Sequence, residues 1–136
     1  YIGIGEISYG GTTAFKKAEL AKQILEYRFE KTGLELDEVR FDYIGINSLY
    51  KDSISSAMTA AVPCEVRLRV AGRTPVKRLA ERIGEEVEAL YTNGPSGGGG
   101  AEKQVKDIVS IASILIPADH FDVKVHFIEG GASHEA

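Results

Sequence analysis

The chain has 136 residues and a formal net charge of −4, with 43% hydrophobic and 26% charged residues, a composition typical of one soluble globular domain. Its basic residues are spread among acids and no apolar run approaches the roughly 20 residues that cross a bilayer, which argues against nucleic-acid binding and against an integral membrane protein. The single cysteine, Cys64, cannot form an intramolecular disulfide, and we expect a cytoplasmic location.

The first predicted elements are a strand, a tight glycine turn and a long helix. Residues 2 to 9 mix β-branched residues with glycine, which favours a strand. Thr12 or Thr13 can cap a helix over about residues 13 to 32, where apolar residues recur at helical spacing. Gly33 is expected to end this helix.

The middle of the chain predicts two strands separated by a long polar connection. Residues 37 to 46 alternate at first, and Cys64–Val70 alternates cleanly with Cys64 on the apolar face. Asn47–Pro63 is polar and rich in serine, and it is too long for a hairpin turn. We expect this connection to fold over a site.

The last part of the chain predicts a helix, a glycine loop and two strands. Helical spacing of apolar residues extends from Thr74, the expected N-cap, to Tyr91. Asn93–Gly100 contains four consecutive glycines and is predicted to be a loop. Residues 105 to 116 are predicted to form a long buried strand, and Phe121–Ile128 alternates as another.

The predicted order is therefore β-α-β-β-α-β-β. It fits an α+β fold of the ferredoxin-like split β-α-β type with an extra C-terminal edge strand, in which two helices cover one face of a mainly antiparallel sheet. We expect one domain over residues 1–129 and a flexible tail over 130–136. The strand order 4-1-3-2 brings three loops to one end of the sheet: Ser8–Thr13, Asn47–Pro63 and Asn93–Gly100.

Two of these loops are candidates for anion binding. Free N–H groups at the start of the first helix favour phosphate or carboxylate, and glycine N–H groups can form a similar concavity. The alternatives are a plain capped turn and a mobile connection. The predicted ligand-binding residues are Ser8, Gly11, Thr12, Thr13, Asn47, Ser48, Asn93, Gly97, Gly98, Gly99 and Gly100.

Charged residues of neighbouring predicted strands form a further candidate. Glu6, Asp42, Arg67 and Arg69 are expected to cluster on the sheet face away from the helices. A catalytic carboxylate held by arginine has this pattern, and so does cross-strand ion pairing or packing against another domain, which we favour.

No metal site and no cofactor are expected. His120, His126 and His134 lack ligand spacing with Cys64 or with paired acids. The thiol of Cys64 is expected to be inert in the core.

Four segments resemble the C-terminal part of the acyclic terpene utilisation family of AtuA type: Gly5–Gly11, Phe41–Leu49, Arg67–Gly72 and Tyr91–Gly100. The family is named after gene clusters for citronellol and geraniol breakdown, pathways that run through acyl-CoA thioesters. The resemblance thus implies a CoA thioester as a possible substrate, but no catalytic residue. It also implies a partner, the N-terminal domain of the same or a companion polypeptide, which agrees with a chain that starts at Tyr1 without methionine.

We therefore expect a domain that contributes to an acyl-CoA or related carboxylate site in cytoplasmic catabolism. The alternative is a non-catalytic assembly module that packs on a catalytic domain or a symmetry mate. An apolar open sheet face would also favour a homo-oligomer.

Overall fold

The computed structural model describes residues 1–51, 53 and 63–127, and it contains one antiparallel sheet with helices on one side. The element order along the described residues confirms the α+β class. The strands are β1 (Ile2–Gly10), β2 (Glu38–Ile44), β3 (Glu65–Arg73) and β4 (Gly98–Lys106), and the helices are α1 (Ala14–Lys31), α2 (Lys77–Glu88), the short α3 (Leu90–Asn93) and a 3-10 turn at Ala118–His120.

The strands lie in the order β2-β3-β1-β4, and each neighbouring pair is antiparallel. This is the predicted order 4-1-3-2, so the ferredoxin-like topology is confirmed. Ile2 lies opposite Arg73, whereas Tyr9 lies opposite Gly98. The glycine run and the start of α1 are therefore at one end of the sheet, and the Arg73 turn is at the other.

The core lies between α1, α2 and the sheet. Helix α1 buries a stripe at three- and four-residue spacing, because only one face of an amphipathic helix meets the strands. From the sheet, β1 and β3 contribute alternate residues to the same core. The buried residues are Ala14, Ala18, Ala21, Leu25 and Phe29 of α1 and Ile7, Tyr9, Val66, Leu68 and Val70 of the sheet.

Gly33 ends α1 as predicted. Its φ of 61° is left-handed, a conformation that glycine adopts without strain. The N–H of Gly33 donates to the Glu30 carbonyl at 3.1 Å, and the N–H of Leu34 donates to the Phe29 carbonyl at 2.8 Å. These two bonds form a Schellman motif, and the buried side chains of Phe29 and Leu34 add the apolar contact that accompanies it.

Helix α2 packs closely on the sheet because glycines lie at the contact. A Cβ atom on Gly3 would overlap the backbone oxygen of Ala80, and one on Gly84 would overlap the Lys103 side chain. The second helix is shorter than predicted, since α2 begins at Lys77. The hydroxyl of the expected N-cap residue, Thr74, accepts the N–H of Val76 at 3.3 Å.

The fourth strand has other bounds than predicted, and the prediction of an extra C-terminal edge strand is wrong over its described residues 121–127. Strand β4 starts at Gly98, so the glycine run is the beginning of a strand, and residues 107–116 lie in no strand. Residues 121–127 of the predicted strand Phe121–Ile128 also lie in none, and the rest of that prediction and the tail 130–136 fall outside the described residues. Alternation of apolar residues indicates a local preference for the extended conformation, but it does not provide a pairing partner. Residues Gly98–Lys106 already occupy the position beside β1.

The prediction that Cys64 lies in the core is also wrong, because the residue is exposed just before β3 begins. Of the polar connection Asn47–Pro63, residues 52 and 54–62 lie outside the described part, so its predicted fold over a site is untested. No helix among the described residues is long and apolar enough to cross a membrane.

Candidate functional site

The glycine run forms a β-bulge at the edge of the sheet. Glu6 lies opposite Glu102, but Ser8 lies opposite Gly99, so β4 has one extra residue where β1 has only Ile7. Gly100 has a left-handed φ of 60°, the conformation that this type of bulge requires and glycine tolerates. Its carbonyl accepts a hydrogen bond from Arg67 Nη1 at 3.1 Å.

A cavity of about 440 Å³ lies beside the bulge. One wall is glycine backbone, and Arg67 supplies the positive charge. A side chain on Gly99 would meet no atom within 4 Å, so the space beside it is open. The lining residues are Ser8, Tyr9, Gly10, Glu65, Arg67, Gly97, Gly99 and Gly100.

Arg67 is held by several partners. Its Nε donates to Glu6 at 2.5 Å, and its Nη1 also contacts the Ser8 hydroxyl at 3.1 Å. The carboxylate of Glu102 lies 3.4 Å from Nη2, and the Glu102 side chain is 77% exposed. The guanidinium is thus fixed at Nε and Nη1, while the carboxylate at Nη2 is close to solvent.

The ion pairs continue across the open sheet face to Asp42, which is only 2% exposed. Arg69 lies 3.5 Å from Glu6 and 3.6 Å from Asp42 and so joins the two acids. Arg40 Nε donates to Asp42 at 2.9 Å, and Lys51 also pairs with it. Burial opposes ionisation of Asp42, but the hydrogen bonds and charges of Lys51 and Arg40 outweigh it and hold the pKa of this carboxyl below its usual value.

The predicted clustering of Glu6, Asp42, Arg67 and Arg69 is therefore confirmed. The four side chains form cross-strand ion pairs on the face away from the helices. The less favoured alternative, a catalytic role for one of these carboxylates, is left untested by this arrangement.

Four of the predicted ligand-binding residues line the cavity: Ser8, Gly97, Gly99 and Gly100. Gly98 does not, because it faces the core, where a Cβ would lie 2.9 Å from Ile7 and 3.2 Å from Tyr9. The strand alternation that turns Gly99 to the open face thus turns Gly98 to the helices.

The other predicted residues lie outside this lining. The exposed Gly11, Thr12 and Thr13 precede α1, and the Thr13 side chain makes no cap hydrogen bond. The Gly11 N–H donates to the Cys64 carbonyl at 2.8 Å. The remaining predicted residues are Asn47 and Ser48, both partly buried after β2, and Asn93, exposed at the end of α3.

Sequence reasoning did not assign four of the lining residues to the cavity: Tyr9, Gly10, Glu65 and Arg67. The alternation of residues 64 to 70 predicts that Arg67 is on the open face, but its contact with Gly100 depends on the bulge. Tyr9 is 1% exposed, and its hydroxyl has no hydrogen-bond partner among the described residues. Burial raises the pKa of Tyr9 to about 12.

The chemistry of the cavity is that of polar recognition. Its lining combines the Arg67 guanidinium, the exposed carboxylate of Glu65, one hydroxyl and glycine backbone, so the Arg67 end suits an anionic or carbonyl oxygen. Within residues 1–51, 53 and 63–127, no group of three or more His, Cys, Asp or Glu residues could hold a metal ion.

Comparison with known proteins gives a match to a protein family. The family model described as acyclic terpene utilisation family protein AtuA matches residues 1–127, a range that contains the whole sheet and every residue lining the cavity. No curated protein and no solved structure matches the chain. Since the family model covers most of its length, the chain belongs to the acyclic terpene utilisation AtuA family.

Proposed function

We propose that this domain binds the carboxylate or the acyl-thioester end of a ligand in the Arg67 cavity, as part of an AtuA-type protein of cytoplasmic catabolism. The observation that carries the proposal is the fixed Arg67 guanidinium beside a glycine-walled cavity of about 440 Å³. This volume is within the range of small-molecule sites and suits the acyl end of a CoA thioester rather than the whole molecule.

The geometry of Arg67 supports recognition of a carboxylate. Nε and Nη1 are occupied by Glu6, Ser8 and Gly100, so the side chain is already oriented before a ligand arrives. Within the described part of the chain, the ion-pair partner of Nη2 is the exposed carboxylate of Glu102. Glu102 lines the neighbouring open-face groove, so a ligand carboxylate that extends from the cavity to Nη2 would replace Glu102 there and gain a charge-assisted hydrogen bond.

The charge balance supports the same exchange. Once Glu102 swings into solvent, Arg67 and Arg69 share Glu6, while Asp42 has two further cations of its own. The two arginines then carry one positive charge more than Glu6 balances, while the exposed carboxylate of Glu65 also lines the cavity. The Ser8 oxygen accepts from Arg67, which leaves the hydroxyl hydrogen to donate to a second ligand oxygen.

Titration calorimetry with butanoate and butanoyl-CoA tests this proposal. Arg67→Met is expected to weaken binding by at least about 10-fold, because a hydrogen bond to a charged group contributes roughly 1.5 to 3 kcal/mol. Arg73→Met is the matched control, since Arg73 lies on the same strand at the other end of the sheet. Absence of saturable binding by the wild-type chain, or an equal loss in both variants, would refute the proposal.

Two adjacent glycines provide a steric test. Gly99→Val places a side chain in open space beside the cavity and is expected to reduce ligand binding while the melting temperature stays near that of the wild type. Gly98→Val instead pushes against Ile7 and Tyr9 in the core and is expected to lower the melting temperature. Unchanged ligand affinity in Gly99→Val would show that the ligand does not lie against the glycine backbone.

A further inference from the structure

The outer edge of β4 is unoccupied in the described sheet. β4 pairs with β1 on one side, and no described strand lies on its other side. The Tyr91 hydroxyl accepts the N–H of Ala101 at 2.7 Å, which covers the start of this edge. From Glu102 to Lys106, backbone groups of alternate residues are left facing outward, and such an edge is a template for another strand.

Grooves flank this edge on both faces of the sheet. The groove on the open face has a volume of about 380 Å³, and the groove on the helix face has a volume of about 230 Å³. Both are lined by Lys103 and Gln104, so they meet at the edge itself. Successive side chains of a strand point to opposite faces of the sheet. A strand added at this edge would therefore place its side chains alternately in the two grooves.

The same chain contains a segment with the matching pattern. Phe121, Val123, Val125 and Phe127 alternate with Asp122, Lys124 and His126. The four apolar side chains are 60 to 92% exposed, and further exposed apolar residues precede them from Ile108 onward. Such a concentration of exposed apolar surface marks an interaction site.

We propose that residues 121–127 of a second copy of this chain add to the β4 edge, and that the exchange is reciprocal. The exposed acid Glu102 lines the open-face groove, where it complements Lys124 of the incoming strand. Its apolar face then covers Val105 and the side-chain stems of α2 in the other groove. Residues 107–120 follow β4 directly and reach up to roughly 45 Å when extended, enough to cross to a neighbouring copy.

A reciprocal exchange closes as a twofold dimer. Sedimentation of the full chain is therefore expected to give twice the mass of the 14.7 kDa polypeptide. A monomer or a series of larger oligomers as the main species would overturn the proposal, because a closed reciprocal exchange produces a dimer.

Substitutions identify the interface. Val123→Lys combined with Val125→Lys is expected to give a monomer that still unfolds cooperatively in urea. Val109→Lys combined with Ile111→Lys removes equally exposed apolar residues outside the alternating stretch and is expected to leave the dimer intact. Equal dissociation by both pairs would show nonspecific association and overturn the strand model.

A charge exchange tests the β4 edge itself. Glu102→Lys and Lys124→Glu are each expected to weaken the dimer several-fold, and the double variant is expected to restore it. The proposed edge would be overturned if both single variants dissociate and the double variant does not restore the dimer. It would also be overturned if Glu102→Lys has no effect on the dimer.

Discussion

The two faces of the sheet are built from the same strands but have opposite chemistry. On the helix side, Ile7, Val66 and Leu68 are at most 1% exposed. On the open side, their neighbours Glu6 and Arg67 form an ion pair that solvent can reach. Because strand side chains alternate, one sequence stretch can supply both the core and the charged face. Stability is concentrated on one face, which leaves the other free for recognition.

The comparison extends to glycine. Gly3 and Gly99 lie on neighbouring strands, but only Gly3 has a helix directly above it. On the helix side glycine allows a close approach of backbone to backbone, whereas on the open side it leaves an empty space. The same residue type therefore has a packing role on one face and a candidate binding role on the other.

The largest expected effect comes from filling the space above Gly3. In Gly3→Val, the new Cβ overlaps the Ala80 backbone oxygen, and backbone cannot rotate away as a side chain can. We expect a loss of at least about 3 kcal/mol in the free energy of unfolding, the upper range for overpacked cores. Urea denaturation measures it. Gly99→Val is the control on the open face, and an equal loss there would contradict the difference between the faces.

Much of the fold could be predicted because it depends on local periodicity. Spacing of alanines and Leu25 predicts α1, and the alternation around Val66 predicts β3 with Arg67 and Arg69 on the open face. The strand order follows from the order of elements along the chain, since few topologies connect them with simple crossovers.

The site was harder to predict because its contacts join distant residues. The glycine run has no side chains and therefore no periodic signal, so the start of β4 at Gly98 was missed. Arg67 reaches Gly100 only because a left-handed glycine adds a residue to the ladder with β1. The apolar residues after Asp107 predict strands, but the sequence of this segment does not indicate which strand it would pair with.

A smaller effect is expected from the buried acid of the open face. Asp42→Asn removes the negative charge that Arg40, Lys51 and Arg69 share. Since these cations are partly exposed and can be rehydrated, we expect a loss of about 2 kcal/mol, below the usual cost of breaking a fully buried pair. The control is Glu38→Gln, whose exposed pair with Arg73 is 4.0 Å long and contributes at most about 1 kcal/mol.

The pH dependence gives Asp42 a second test. Its folded pKa lies below the ordinary value of 3.8, so its contribution to stability is present above that pH and is lost as the pH falls through the folded pKa. Chemical denaturation at a series of acidic pH values is expected to show a smaller loss in Asp42→Asn than in the wild-type chain. Identical acid profiles would contradict the role of Asp42 in holding the open face together.

The smallest effect is expected where the core contains an unpaired hydroxyl. Tyr9 is buried without a hydrogen-bond partner among the described residues, so Tyr9→Phe removes a polar group that the fold does not satisfy. We expect stability to stay unchanged or to rise by up to about 1 kcal/mol. Tyr91→Phe is the matched control: its hydroxyl accepts the Ala101 N–H at 2.7 Å, and its loss should cost about 1 kcal/mol.

Alkaline pH gives a second test of the buried Tyr9 hydroxyl. The folded pKa of Tyr9 is about 12 against an ordinary 10.0, so its contribution to stability is complete below pH 10 and is lost as the pH rises through about 12. Tyr9→Phe lacks this group, and its stability should fall less over the same interval. A variant that is clearly less stable than the wild type at neutral pH would show that the hydroxyl has a partner and would contradict this prediction.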